Sequence, residues 1–224
     1  GLAQPIRLAL AFAGKEYEDV RIDAGDPDSP EYKQTWFRQK ETLGLNFPNL
    51  PYYLDGDVRI VQSAAILRHV GRTHGLLAES QSAYAAAQAD VLLEELTELD
   101  GSLTRLCYSP DFEALRGAWL SQVMQPKLDS VASALLDSSG GKVEKAFFSG
   151  GAKPCITDFK AFEVLDKCRA VWISHHKGGD CLAQHPSLSA FHDRVKNQPG
   201  VAEFLADPNN TESLPINNPH AAFK

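Results

Sequence analysis

At 224 residues the chain is long enough for one large domain or two small ones. Its 43% hydrophobic and 23% charged residues are ordinary for a soluble globular protein. A formal charge of −7, with Lys and Arg scattered, excludes the basic footprint of a nucleic-acid binder. No apolar run approaches the roughly 18 residues of a membrane span, and no segment reads as a signal peptide.

The first third mixes helix and strand signals. Pro5 suits the first turn of a helix carrying Ile6, Leu8, Leu10 and Phe12, with Gly14 at its end. Tyr17 to Ile22 alternates enough to predict a strand. Asp26 to Pro30 is a turn-rich loop. Glu31 to Thr42 predicts a helix bearing Trp36 and Lys40. Tyr52 to Leu54 and Val58 to Val61 flank Asp55-Gly56-Asp57, a strong hairpin signal. Ala64 to His74 predicts a helix closed by Gly75.

A linker is expected near Leu76 to Ser82, and from about Ser80 the pattern is purely helical. Leu92, Leu93, Leu96, Leu99, Leu103 and Leu106 recur at helical spacing. Phe112 to Leu136 repeats apolar residues, with Pro126 expected to kink or interrupt the element. Ser138 to Gly141 is a break. Cys155 to Val171 and Ser187 to Asn197 predict two more helices. His175-His176, beside Gly178-Gly179, reads as a loop, and no metal site is expected there.

The four cysteines (Cys107, Cys155, Cys168 and Cys181) form no C-x-x-C pair and show no zinc-finger spacing. Reduced, buried thiols in a cytoplasmic protein are the expectation. Asn209-Asn210-Thr211 is a glycosylation sequon on paper only, because a cytoplasmic chain never meets that machinery.

Leu45 to Ser63 carries the clearest chemistry. Pro51 makes Leu50-Pro51 a candidate cis bond, since X-Pro bonds are the only ones where cis is cheap. That would turn the Leu50 backbone outward, ready to pair with an extended peptide. Gln62-Ser63 then opens a helix whose unpaired N–H groups form an anion site. A peptide backbone and a carboxylate held on one small surface describe a small acidic peptide ligand.

FPNLPYYLDG followed by QSAAIL resembles the glutathione-binding half of the cytosolic glutathione transferases of the Alpha, Mu and Pi classes, and is most like the Mu class. GLAQPIRLAL resembles that family's first helix. TWFRQKETLGLNFPNLPYY resembles the Mu-type loop, and CYSPDFE the Mu join between two long helices. ILRHVGRTHGL and FLADP…LPINN look more like the Pi class. The resemblance covers nearly the whole chain. It implies an α/β thioredoxin-like N-terminal domain (residues 1–76) followed by an all-α helical bundle domain (83–224) that contributes the hydrophobic substrate site. It also implies a homodimer, and glutathione as co-substrate with no further cofactor.

The residue roles follow from the same resemblance. Gln62 and Ser63 hold the γ-glutamyl end of glutathione, Leu50 pairs with its cysteinyl part, and Asn49 reaches the ligand beside it. Trp36 and Lys40 donate to the glycyl carboxylate, as an indole N–H and an ammonium can. Glu98 reaches across the dimer to the ligand's ammonium group, with Asp100 as the alternative two residues on. Tyr108 faces the hydrophobic substrate, where a phenol can bond an oxygen as charge develops. Phe47 is the aromatic key of the dimer interface, since an exposed loop aromatic calls for a partner pocket. Asp158, in PCITDF, completes a helix-capping box whose cap position is Cys155, a structural role.

The family's thiol-activating tyrosine sits on a strand just before the GLA segment, so it is expected upstream of Gly1, and no catalytic residue is visible. The expected activity is addition of the glutathione thiol to apolar electrophiles, in detoxification. The alternatives are a non-catalytic glutathione-binding or structural relative, or a glutathione-dependent isomerase or peroxidase.

Overall fold

The structure is a computed structural model that describes residues 1–78, 83–141, 147–210 and 221–223. Glu79 to Ser82 of the expected linker, the LPINN tail and Thr211 of the sequon lie outside the described residues.

Helix α1 (Gln4–Phe12) carries Pro5 in its first turn and buries Ile6, Leu8, Ala9 and Leu10. It packs on the helices at Ser63–Thr73 and Ile156–His176, with the Phe12 ring 5.6 Å from that of Phe159. The strand expected over Tyr17 to Ile22 does not form; those residues are irregular. A strand needs a neighbour to complete its ladder. Among the described residues β1 (Tyr52–Asp55) pairs only with β2 (Val58–Val61). Alternation alone therefore overstated this segment, and its Tyr17 and Val20 stay exposed.

Helix α2 runs Gln34–Gln39 and tightens into a 3-10 turn at Lys40–Thr42, three residues later in starting than expected. Lys33, with a left-handed φ of 63°, stands just before it. The β1–β2 hairpin turns at Gly56 and pairs Tyr52 with Val61. The Leu50–Pro51 peptide is cis. Helix α3 (Ser63–Thr73) ends at Gly75, whose φ is 67°. There the Leu76 N–H reaches back to the Gly71 carbonyl at 2.8 Å, the bond of a Schellman ending.

The remainder is helical: α4 (Ala83–Tyr108), α5 (Phe112–Trp119), α6 (Gln125–Ser138), α7 (Ile156–His176), α8 (Pro186–Lys196) and α9 (Val201–Ala206). Pro126 sits at the start of α6, and the chain widens into a π-turn at Leu120–Met124 just before it. This is how the long α5–α6 element accommodates a residue without an N–H. Helix α7 runs five residues beyond the expected end. His175 and His176 therefore lie in its last turn, not in a loop. A stacked pair and a hydrogen bond hold that turn: the His176 and Trp172 ring centroids lie 3.8 Å apart, and His176 Nδ1 lies 3.2 Å from the Trp172 carbonyl.

Asp158 joins two segments at the start of α7. Its carboxylate accepts from the Cys155 N–H at 2.7 Å and the Phe148 N–H at 2.8 Å. Burial raises its pKa to about 6 against the pull of those N–H donors. At the other end of the fold, Gly200 (φ 78°) lets α9 meet the end of α1. A Cβ there would stand 2.2 Å from the Ala11 carbonyl oxygen.

One hydrophobic core runs through both halves, including Leu8, Ile66, Val70, Leu96, Leu99, Leu103, Phe159, Leu165 and Phe191. All four cysteines are free and buried. Among the described residues no helix is long and apolar enough to cross a membrane, and no group of three or more His, Cys, Asp or Glu could hold a metal ion.

Candidate functional site

The hairpin register assembles the site. Because Tyr52 faces Val61, Leu50-Pro51 and Gln62-Ser63 emerge at the same end of the hairpin. Trp36 stacks on Tyr52 at that end, with ring centroids 6.2 Å apart and planes 9° from parallel. Asn49 is there by connectivity. Three segments of the chain, at Trp36, Asn49 to Pro51 and Gln62-Ser63, thus meet at one corner.

Gln62, the residue before α3, has φ 72° and ψ 113°, a conformation that L side chains rarely adopt. Such positions persist where the surroundings impose them, and they cluster at ligand sites. Helix α3 has no side-chain cap, and the first recorded intrahelical bond of its opening turn is Ile66 N–H to the Gln62 carbonyl at 2.9 Å. The preceding N–H groups face outward with the positive end of the helix dipole. Ser63 is half-buried beside them.

Two details refine the expected contacts. The Leu50 N–H already donates to Asn49 Oδ1 at 2.9 Å, so in this state the Leu50 amide and the Asn49 carboxamide satisfy each other. Lys40 lies one turn beyond Trp36, with its ammonium 3.6 Å from Glu41 and 5.5 Å from the Phe37 ring.

The expected residues of the long helix separate sharply. Glu98 lies on an exposed face of α4, with Lys127 of α6 at 3.6 Å. Asp100 is only 2% exposed and is bound by Lys160 and by Lys167 at 2.8 Å. Burial opposes its charge, but the two ammonium groups outweigh that and hold its pKa below the usual carboxylate value. Lys167 also meets Glu163 at 3.2 Å, and the amino group of Gly1 meets Glu163 at 3.1 Å. Asp100 is thus committed to a buried ionic cluster and is not available to a ligand across a dimer. Phe47, at 76% exposure, projects from the loop before the hairpin.

A cleft of about 930 Å³ adjoins the hairpin corner. It is lined by the start of α1, residues 15–22, Leu50 to Asp55, Thr104, Tyr108 and Lys167, among others. Leu50, Pro51 and Tyr108 of the expected residues line it; Trp36, Lys40, Gln62, Ser63 and Glu98 do not. Lys167 and Thr104 were not legible as cleft residues. Lys160, Glu163 and Lys167 have the spacing of a solvated helix stripe, and only the opposing Asp100 on α4 marks them as buried. A cleft of this size, part apolar and ringed by a few polar groups, suits a small molecule.

Comparison with known proteins matches residues 1–72 to the family profile "Glutathione S-transferase, N-terminal domain" and residues 99–208 to "Glutathione S-transferase, C-terminal domain". Among similar proteins, Glutathione S-transferase 2 of Gallus gallus is 41% identical over 92% of this chain and 85% of its own. Glutathione S-transferase Mu 1 of Oryctolagus cuniculus is 35% identical over 92% of this chain and 86% of its own. The solved glutathione S-transferase Blo t 8 superposes with a TM-score of 0.83 at 25% identity, covering 100% of this chain and 95% of that one. The Pi-class enzyme of Onchocerca volvulus gives a TM-score of 0.74 at 27% identity, over 95% of each chain. With a thioredoxin-like N-terminal part that carries a small sheet, and a helical C-terminal part, the chain belongs to the glutathione S-transferase family.

Proposed function

We propose that this chain binds glutathione across the end of the β1–β2 hairpin and transfers its sulfur to an apolar electrophile held in the adjoining cleft. The observation that carries this reading is the meeting of Trp36, Leu50, Gln62 and Ser63 at one corner, beside a cleft that reaches Tyr108. The γ-glutamyl carboxylate sits on the open N-terminus of α3, with Ser63 and Gln62 donating to it. The cysteinyl part pairs with the Leu50 backbone once the Asn49 carboxamide turns from the Leu50 amide to the ligand. Trp36 and Lys40 take the glycyl carboxylate. Glu98 from a second copy takes the ligand's ammonium group, and Phe47 docks into that copy, which makes the working unit a homodimer. The glutathione-binding part spans residues 1–76 and the helical part 83–224. Glutathione is co-substrate, no further cofactor takes part, and the protein works in the cytoplasm.

Transfer requires a thiolate. A free thiol with pKa near 8.5 is only a few per cent ionised at neutral pH. A hydroxyl that donates to the sulfur lowers that pKa by favouring the charged form. We assign this role to a tyrosine upstream of Gly1. The sulfur then attacks the electrophile, and Tyr108 bonds the oxygen on which charge collects.

Two measurements test the reading together. Titration calorimetry should show glutathione binding that weakens in Ser63→Ala. Absorbance should show conjugation of glutathione to 1-chloro-2,4-dinitrobenzene, measured with and without the residues upstream of Gly1. Binding without conjugation in both forms would replace the transferase reading with that of a glutathione-binding relative.

A further inference from the structure

Successive side chains of a strand take opposite faces, so Tyr52 and Tyr53 of β1 point to different sides of the hairpin. Tyr53 packs against the core, with its ring 5.5 Å from that of His69 on α3. Tyr52 takes the other face and stacks on Trp36 of α2, with planes 9° from parallel. Helix α2 is six residues long and buries none of them, so core packing does not fix where its side chains lie. The Trp36 ring lies instead against a ring that the hairpin register holds, since Tyr52 pairs with Val61, the neighbour of Gln62.

The two donors expected at this end differ in their present engagement. Among the described residues no protein group accepts from the Trp36 indole N–H, which can only donate. Lys40 already has the Glu41 carboxylate at 3.6 Å. We infer that Tyr52 is a positioning residue for the glycyl carboxylate of glutathione: its ring fixes the plane of Trp36 and so holds the indole N–H where that carboxylate arrives. This rests on the role given to Trp36 in the proposed function. Offset-stacked rings prefer a defined geometry. A donor ordered before the ligand arrives gives up less side-chain freedom on binding, and that saving appears as affinity. The contribution belongs to the Tyr52 ring and not to its hydroxyl, and it is felt only by a ligand that carries the carboxylate.

The test is titration calorimetry on the full-length protein with glutathione and with its glycyl monoethyl ester, which lacks the carboxylate charge. The wild type should bind glutathione the more tightly of the two. Tyr52→Leu should weaken glutathione about tenfold and the ester less than about twofold. Tyr52→Phe keeps the ring and should match the wild type on both ligands. Trp36→Phe keeps a ring to stack and lacks the donor, so adding Tyr52→Leu to it should change the ratio of the two dissociation constants no further. Equal weakening of both ligands in Tyr52→Leu, an unchanged ratio there, a loss in Tyr52→Phe, or a further change of ratio in the double variant overturns this inference alone. A wild type that binds both ligands equally, or neither, overturns the role given to Trp36 and this inference with it.

Discussion

The face between α4 and α7 and the corner of the hairpin handle polar groups in opposite ways. Between the helices, Asp100, Lys160, Glu163 and Lys167 are nearly out of water and answer one another. At the corner, Gln62 holds an unfavourable backbone conformation, α3 begins without a side-chain cap, and Leu50 and Gln62 are exposed. On the proposed reading, the strained Gln62 and the open start of α3 beside it serve the ligand.

Breaking the inner face should have the largest effect. Asp100→Leu leaves two ammonium groups buried without their shared carboxylate, and should cost about 3–5 kcal/mol in urea unfolding. A loss below about 1 kcal/mol would show that water reaches the cluster. The interior can also be broken by shape. Gly200→Ala drives a methyl into the Ala11 carbonyl at a left-handed φ, and should cost about 2–3 kcal/mol and lower Tm accordingly.

Proton linkage offers a third contrast. Asp158 has its pKa raised by burial to about 6, from 3.8 in the unfolded chain. Between those values the folded protein keeps a proton that the unfolded chain has lost. Stability from this group is present at low pH and falls as pH rises through about 6. The change between pH 4.5 and 7 should be about 2 kcal/mol, and Asp158→Asn should abolish it. Asp100 works in the other direction: its lowered pKa stabilises the fold above its unfolded value and is lost as pH falls below that. A Asp158→Asn variant with the wild-type pH slope would relocate the titration elsewhere.

At the corner the effects should be on binding, not on folding. Ser63→Ala should weaken glutathione binding about tenfold, or about 1.4 kcal/mol, as for a hydrogen bond to a charged group. Stability should stay within about 0.5 kcal/mol, because Ser63 lies one residue past the N-cap position, which Gln62 occupies. A destabilised variant with unchanged affinity would make Ser63 a structural residue. Phe47→Ala should leave the unfolding curve in place and raise the monomer fraction in sedimentation, since that residue is 76% exposed in the single chain.

Local rules explain which of these features were legible. Pro51, Asp55-Gly56-Asp57 and Gly75 each dictate a backbone shape within a few residues. The hairpin and the end of α3 therefore stand where the sequence places them, with α3 beginning one residue early. Tyr17 to Ile22 failed because alternation predicts a strand only where a neighbour supplies the ladder. The lysines of α7 were not recognised because charge spacing cannot reveal that a carboxylate on another helix, 60 or 67 residues away, faces them. Gly200 was equally hidden: its neighbour Ala11 lies at the other end of the chain.

The four cysteines bear on how such a protein survives its own work. A catalyst of thiol addition spends its time among compounds that alkylate sulfur. Burial pushes the Cys107 thiol up to about 11 and Cys181 up to about 12, and raises Cys155 and Cys168 well above the ordinary thiol value. At neutral pH a thiol of pKa 11 is ionised in only about one molecule in ten thousand. The protein's own sulfur is thereby chemically silent, and glutathione is the nucleophile that the electrophile meets.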